Sequence, residues 1–154
     1  MEYSIKAENL TKKFGNFIAV NEITFDVKKG EIFGFLGPNG AGKTSTINMM
    51  IGLLKPNSGK ITINEIDVIK QAKKAQEIMG IVADESNLYN EMDGFANLCF
   101  CGALYGMGKK ERESKARELL KLFRLQDAGN RPFKAYSKGM KRKLTIAAAL
   151  IHSP

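Results

Sequence analysis

The sequence predicts an α/β fold built around one glycine-rich loop, and three features support that prediction. The loop, GPNGAGKT, occupies residues 37–44. An apolar run at 31–36 leads into it with the length of a short buried strand, and residues 45–51 leave it with the pattern of a helix. Two earlier segments, 3–10 and 22–27, alternate apolar and polar residues as half-exposed antiparallel strands do.

The loop matches the phosphate-binding pattern G-x-x-x-x-G-K-[ST] at each fixed position. Its glycines permit positive φ, so that successive N–H groups can curl inward around an anion. Lys43 would reach the β- and γ-phosphates and Thr44 would offer its hydroxyl to Mg²⁺. A ligand-free glycine-rich turn is the alternative, and the strand and helix on either side disfavour it. The predicted nucleotide-binding residues are Gly37, Pro38, Asn39, Gly40, Ala41, Gly42, Lys43, Thr44 and Ser45, with Lys43 as the catalytic one.

Length and composition exclude several classes of protein. A chain of 154 residues can bury a core as one domain, and 44 % hydrophobic with 26 % charged residues is typical of globular proteins. The apolar runs are too short to cross a membrane and the start lacks the core of a signal peptide, which predicts a cytoplasmic chain. Cys99 and Cys101 are too few for a disulfide scaffold or a zinc site, and we expect reduced, packed thiols.

The net charge of +8 raises the question of nucleic-acid binding. The basic residues are scattered in short groups, and most of them fall in turns or on polar helix faces, where solvation explains them. No interleaving of aromatic and basic residues indicates a single-strand platform. We therefore expect no nucleic acid among the partners.

The remaining pattern predicts a β part followed by a helical part. Ser137 is well placed to cap the last helix, and Asp93 to cap a helix that is apolar on nearly every face. Phe14, at a turn between the first two strands, would either stack on an adenine or pack a strand end, and the residues leave both readings open. The predicted elements are strands at 60–63 and 80–83, helices at 69–79, 94–105, 109–123 and 141–151, and an irregular segment at 84–92.

The loop and the later sequence Tyr136-Ser137-Lys138-Gly139-Met140 together make the chain resemble the ATP-binding subunit of ABC transporters, from Thr11 to Pro154. That family has a second motif, L-S-G-G-Q, at the start of a helix. Ser137 and Gly139 keep its Ser and second Gly, and the departures are those of the variant common in ATPases of drug, antibiotic and ion exporters. The resemblance implies a P-loop NTPase core with an N-terminal antiparallel β part and an α-helical subdomain, with C-terminal strands missing, divided into 1–83 and 84–154.

The resemblance also implies site residues. Ser137, Lys138 and Gly139 would contact the γ-phosphate of ATP held by the facing subunit, whereas without the family Ser137 is an ordinary helix cap. Phe14 matches the position that stacks adenine. Asp84 stands where the family has a glutamine that touches Mg²⁺ and the attacking water. A carboxylate can also bind Mg²⁺ but adds negative charge, so the metal candidates are Thr44 and Asp84.

The function implied is that of an ATPase subunit that drives export, cytoplasmic and peripheral on the inner face of the membrane. Its partners would be a second ATP-binding subunit, identical or not, and membrane-spanning permease subunits that meet helix 94–105. The family's second acidic motif and catalytic histidine are not in this sequence, and His152 precedes their place, so we expect the chain alone to bind ATP without turnover. The alternatives are a soluble ABC protein acting on ribosomes or DNA, a non-catalytic nucleotide-binding module, or a small-molecule kinase.

Overall fold

A computed structural model describes residues 2–154 as two compact units, one ending at Met79 and the other spanning Gly80–Pro154. Each unit has a hydrophobic core of its own. The first unit contains all the strands and the second only helices, which is the arrangement of an α/β protein with a separate helical part.

The first unit is a four-stranded antiparallel sheet with two short helices. Its elements are β1 (Tyr3–Phe14), β2 (Phe17–Lys28), α1 (Lys43–Met50), β3 (Ser58–Ile63), β4 (Ile66–Asp67) and α2 (Ala72–Glu77). The strands lie in the order β2-β1-β3-β4, and Gly15, with φ of 57°, turns β1 tightly into β2. The predicted antiparallel pair before the loop is confirmed. Leu10, Met49 and Ile61 are almost fully buried between the sheet and α1.

The strand predicted at 31–36 is wrong for this structure. The segment pairs with no strand among residues 2–154, and Ile32 and Leu36 are 100 % and 97 % exposed. It is anchored by aromatic contacts instead. The rings of Phe33 and Phe35 lie 5.4 and 5.2 Å from that of Phe25 on β2. A buried strand needs hydrogen-bonded neighbours on both sides, and an apolar run by itself does not supply them.

The second unit packs three helices around one core. They are α3 (Gly94–Leu104), α4 (Lys109–Leu122) and α5 (Lys138–Ala149), with 3₁₀ turns at Gln126–Ala128 and Phe133–Ala135. Leu98, Leu119 and Leu144 contribute buried side chains from each of the three helices. The strand predicted at 80–83 is wrong, because this segment has no regular structure. The helices predicted at 94–105, 109–123 and 141–151 are confirmed, although the last begins three residues earlier.

Helix α3 has a buried side and an exposed side. Asp93 caps it as predicted, since its carboxylate accepts a hydrogen bond of 2.7 Å from the N–H of Ala96. Phe100, Leu104 and Tyr105 remain 37 %, 71 % and 42 % exposed. The apolar residues of α3 therefore lie on two sides of the helix. One side packs into the core of this unit, and the other remains partly exposed.

One buried polar side chain, missed by the sequence reasoning, holds the irregular segment before α3. Asn97 is fully buried and accepts a hydrogen bond of 2.8 Å from the N–H of Tyr89. Its amide group donates to three carbonyls, those of Tyr89, Met92 and Asp93, at 3.0 to 3.2 Å. The amide thus pairs both the N–H and the carbonyl of Tyr89, which lie outside any helix or strand, and adds a second hydrogen bond to the carbonyls of Met92 and Asp93. A lone Asn in an otherwise apolar helix was the signal for it.

No helix within residues 2–154 is long and apolar enough to cross a membrane. Cys99 and Cys101 are free and half-buried, as expected for packed thiols. Burial raises the pKa of both thiols, and Glu113 adds to the effect on Cys99. His152 stacks on the ring of Tyr105 with centroids 3.6 Å apart.

Candidate functional site

The glycine-rich loop lies exposed at the start of α1, and its three glycines all have a positive φ that other residues rarely adopt, which for Gly37 is 153°. Gly40 and Gly42 have φ of 86° and 83°. Gly42 also packs against β2, where an added Cβ would stand 2.2 Å from the carbonyl oxygen of Ala19. Nothing lies within 4 Å of the corresponding position on Gly40. At Gly42 the loop therefore needs glycine both for its positive φ and because a side chain would not fit. At Gly40 it needs glycine for its positive φ alone.

Lys43 folds back over this loop. Its ammonium group donates hydrogen bonds of 2.6 and 2.7 Å to the carbonyl oxygens of Gly37 and Pro38. The positive charge is thus held beside the main chain of the loop. These neutral carbonyls are weaker acceptors than phosphate oxygens, so an arriving triphosphate could replace them.

The first turn of α1 supplies the hydroxyl groups of the site. Thr44 is exposed and Ser45 half-buried, while the next residue, Thr46, is buried and bonds back to the carbonyl of Gly42 through both its N–H and its hydroxyl. No acidic side chain occurs between residues 37 and 45. An exposed loop with a cation, hydroxyl groups and a helix N-terminus, and with no carboxylate, fits a polyphosphate with its Mg²⁺.

Phe14 lies in the same unit at the end of β1, opposite Phe17. Its side chain is 50 % exposed, and the ammonium group of Lys12 stands 5.2 Å from the centre of its ring. Phe14 is therefore not buried in the core. Adenine stacking at this ring stays a prediction.

The second motif begins helix α5 in the helical unit. The hydroxyl of Ser137 accepts a hydrogen bond of 3.3 Å from the N–H of Met140, which confirms it as the helix cap. Lys138 is the first helical residue and is exposed. Nothing lies within 4 Å of the space that a Cβ on Gly139 would take. The backbone at this helix start is therefore open to an approaching anion.

Asp84 lies in the same unit, in the irregular segment that runs beside α5. It lines a cavity of about 470 Å³ together with Ser86, Lys138, Lys141, Arg142 and Thr145. Arg142 donates a hydrogen bond of 2.7 Å to the carbonyl of Ala83, a contact that the sequence reasoning missed because it treated the basic run 141–143 as solvated.

The predicted site residues thus form two groups. The loop residues 37–45 and Phe14 belong to the first unit, and Asp84 and residues 137–139 to the second. No three His, Cys, Asp or Glu side chains gather as a metal centre in the described part of the chain. The two Mg²⁺ candidates, Thr44 and Asp84, lie in different units, so their joint role stays a prediction.

Strands and helices joined to a glycine-rich loop of this form, with a lysine at the start of the following helix, define a P-loop nucleotide-binding domain of the α/β class. The family model described as "ABC transporter" matches residues 20–154, and the chain belongs to that family. The resemblance inferred from the two motifs is confirmed.

Among its relatives, the chain is 41 % identical over 150 residues to the linearmycin resistance ATP-binding protein LnrL of Bacillus subtilis, matching 97 % of this chain and 48 % of LnrL. It is 39 % identical over 137 residues to the ABC transporter ATP-binding protein NatA of the same organism, matching 88 % of this chain and 56 % of NatA. The solved structure of cbiO1 from Clostridium perfringens, part of the ABC transporter complex cbiONQ, superimposes with a TM-score of 0.87 at 26 % identity, covering the whole of this chain and 63 % of cbiO1. The chain thus spans about half the length of LnrL and NatA.

Proposed function

We propose that this chain is the ATP-binding part of an ABC transporter ATPase that drives export of a compound across a membrane. The observation that supports it most is the exposed glycine-rich loop at the start of α1 with Lys43 bound across it. Membership of the ABC transporter family supports the transport role, and relatives named for resistance to linearmycin and to daunorubicin support the direction of export.

In this proposal the loop holds the triphosphate of ATP. The backbone N–H groups of the loop, which every residue from 37 to 45 except Pro38 has, would donate to its oxygens. The ammonium of Lys43 would leave the carbonyls of Gly37 and Pro38 to neutralise the β- and γ-phosphates. The hydroxyl of Thr44 would hold Mg²⁺ at this loop, and Asp84, in the second unit, is the other candidate ligand that the sequence predicts. Mg²⁺ would supply charge neutralisation at the phosphates. Phe14 stacks on the adenine.

Two partners complete the function. A second ATP-binding subunit would meet the start of α5, where Ser137, Lys138 and Gly139 contact the γ-phosphate of the ATP bound on the facing loop. Permease subunits would cover the partly exposed side of α3 and its C-terminal end, where Phe100, Leu104 and Tyr105 are 37 %, 71 % and 42 % exposed. The chain would then lie on the cytoplasmic face of the membrane through its permease.

The test is a nucleotide titration of the protein and of Lys43→Ala. Removal of the only side-chain cation in the loop should weaken binding of a fluorescent ATP analogue by at least about tenfold, since a charge-assisted hydrogen bond to phosphate contributes about 1.5 to 3 kcal/mol. Lys29→Ala, an exposed lysine in the turn after β2, is the matched control and should leave the affinity unchanged.

The complete protein should hydrolyse ATP with Mg²⁺ and lose turnover in Lys43→Ala. Unchanged affinity and turnover in Lys43→Ala would refute the proposal. Recovery of the complete protein with ribosomes, rather than with a membrane protein, would refute the transport role.

A further inference from the structure

The ammonium group of Lys12, near the end of β1, makes two contacts. It donates a hydrogen bond of 2.8 Å to the carbonyl oxygen of Lys55, which lies between α1 and β3. It also stands 5.2 Å from the centre of the Phe14 ring. A cation within about 6 Å of a ring centre is attracted to the face of the ring. Because the hydrogen bond to Lys55 holds the ammonium in place, the cation is fixed against one face of Phe14.

The turn that carries Lys55 is itself bound to β1 on both sides of Lys12. The side-chain oxygen of Asn57 accepts a hydrogen bond of 2.8 Å from the N–H of Lys13. The N–H of Asn57 donates a hydrogen bond of 2.9 Å to the carbonyl of Thr11. The main chain around Lys12 and the acceptor of its ammonium group are therefore held together, which restricts where the cation can lie.

The other face of the Phe14 ring is accessible, and the ring lies near the glycine-rich loop in the same unit. Phe14 is 50 % exposed. In the sheet Lys12 pairs with Val20 of β2, and Phe14 follows two residues later on β1. The loop packs against the same part of β2, since a Cβ added to Gly42 would stand 3.0 Å from a methyl group of Val20. The ring thus lies close to the point where the loop meets the sheet.

We propose that Lys12 is a positioning residue for the nucleotide base, because its ammonium group covers one face of Phe14 and leaves the other face for the base to stack on. The inference rests on the proposed function, in which Phe14 stacks on adenine. It adds a residue that acts through the ring and does not touch the nucleotide. A ring that is held before the base arrives loses less conformational freedom on binding, which raises the affinity.

The test is a calorimetric titration of the complete protein with ATP and, separately, with inorganic tripolyphosphate, which has the phosphates but no base. EDTA in both titrations prevents hydrolysis that depends on Mg²⁺. Lys12→Met should raise the Kd of ATP about twofold to fivefold, the range expected for a cation–π contact at an exposed site. The Kd of tripolyphosphate should change no more than it does in the control variant, and its retained binding also shows that Lys12→Met folds.

Lys13→Met is the matched control, since it removes the same charge from the next residue, which is exposed and meets Asn57 through its main-chain N–H. It should leave the ratio of the two Kd values unchanged. Lys12→Arg should keep the affinity for ATP, because a guanidinium group also binds to the face of an aromatic ring. In a Phe14→Leu background, Lys12→Met should have no further effect on ATP, because the ring through which Lys12 acts is absent.

An equal rise in the Kd of both ligands in Lys12→Met would overturn the inference, because Lys12 would then act on the phosphates and not on the base. An unchanged Kd of ATP in that variant, or additive effects of Lys12→Met and Phe14→Leu, would overturn it as well. Failure of the original protein to bind either ligand would instead refute the proposed function. The two failures are therefore distinguishable.

Discussion

Replacing Gly42 by Ala tests whether the loop needs glycine for space as well as for conformation. Both Gly42 and Gly40 have positive φ, so that Ala at either position adopts a left-handed conformation at a cost of about 1 to 2 kcal/mol. Only at Gly42 does the new methyl group meet an obstacle, the carbonyl oxygen of Ala19 at 2.2 Å. That separation is far inside the distance of about 3.5 Å at which such atoms attract each other.

The obstacle belongs to the main chain of β2 and cannot rotate away, so the loop or the strand must move. Such overpacking adds about 1 to 3 kcal/mol. We therefore expect Gly40→Ala to lower the free energy of unfolding by about 1 to 2 kcal/mol and Gly42→Ala by about 2 to 5 kcal/mol. The difference between the two variants isolates the steric part.

Urea unfolding of both variants, followed by circular dichroism, measures the stabilities, and titration with a fluorescent ATP analogue measures the affinity. Gly42→Ala should also weaken binding more than Gly40→Ala does, because the carbonyl of Gly42 anchors the first turn of α1 through Thr46. Equal destabilisation by the two variants would show that the close approach of loop and strand does not affect the free energy of unfolding, and would refute the reasoning.

Three further predictions concern the helical unit. Asn97→Ala should lower the free energy of unfolding by about 2 to 4 kcal/mol in chemical denaturation, because it removes the hydrogen bonds that a fully buried amide makes to the part-buried N–H and carbonyl of Tyr89. A loss below about 1 kcal/mol would contradict this. Gly94→Ala should lower the free energy of unfolding by about 1 to 3 kcal/mol, since its methyl group would stand 2.2 Å from the hydroxyl of Tyr136. Adding Tyr136→Phe to the same chain should relieve part of that loss, and strictly additive losses in the double variant would contradict the clash. The pKa values of the Cys99 and Cys101 thiols are raised in the folded state, which favours the neutral thiols there. The contribution of these thiols to the free energy of unfolding is therefore present below pH 9.0 and is lost as the pH rises through the higher folded-state pKa values. Iodoacetamide labelling at pH 8 should accordingly be slower in the folded protein than in urea, and equal rates would exclude the effect.

The features that could be predicted from the sequence are those that depend on residues close together in the chain. Helix α3 was predicted with its cap because Asp93 stands directly before an apolar run, and the tight turn after Phe14 because a glycine follows it. The same holds for the candidate site, since the motif from Gly37 to Thr44 and the cap at Ser137 are contiguous in the chain. Contacts between distant residues had no such signal. Arg142 lies 59 residues from Ala83, and a basic run alone does not distinguish a side chain that binds a carbonyl from one in water.

The sequence by itself determined the nucleotide-binding loop, its helix, the antiparallel strands before it and the family, because each rests on local backbone preference or on a continuous motif. The tertiary structure decided which apolar segments became strands and which distant side chains line the same cavity. Residues 31–36 and 80–83 have the composition of buried strands but no hydrogen-bonding neighbours within residues 2–154, and strand formation is a property of the pair rather than of the segment. Likewise Asp84 and Lys138, more than fifty residues apart in the sequence, line one cavity only because α5 packs beside the segment that carries the carboxylate.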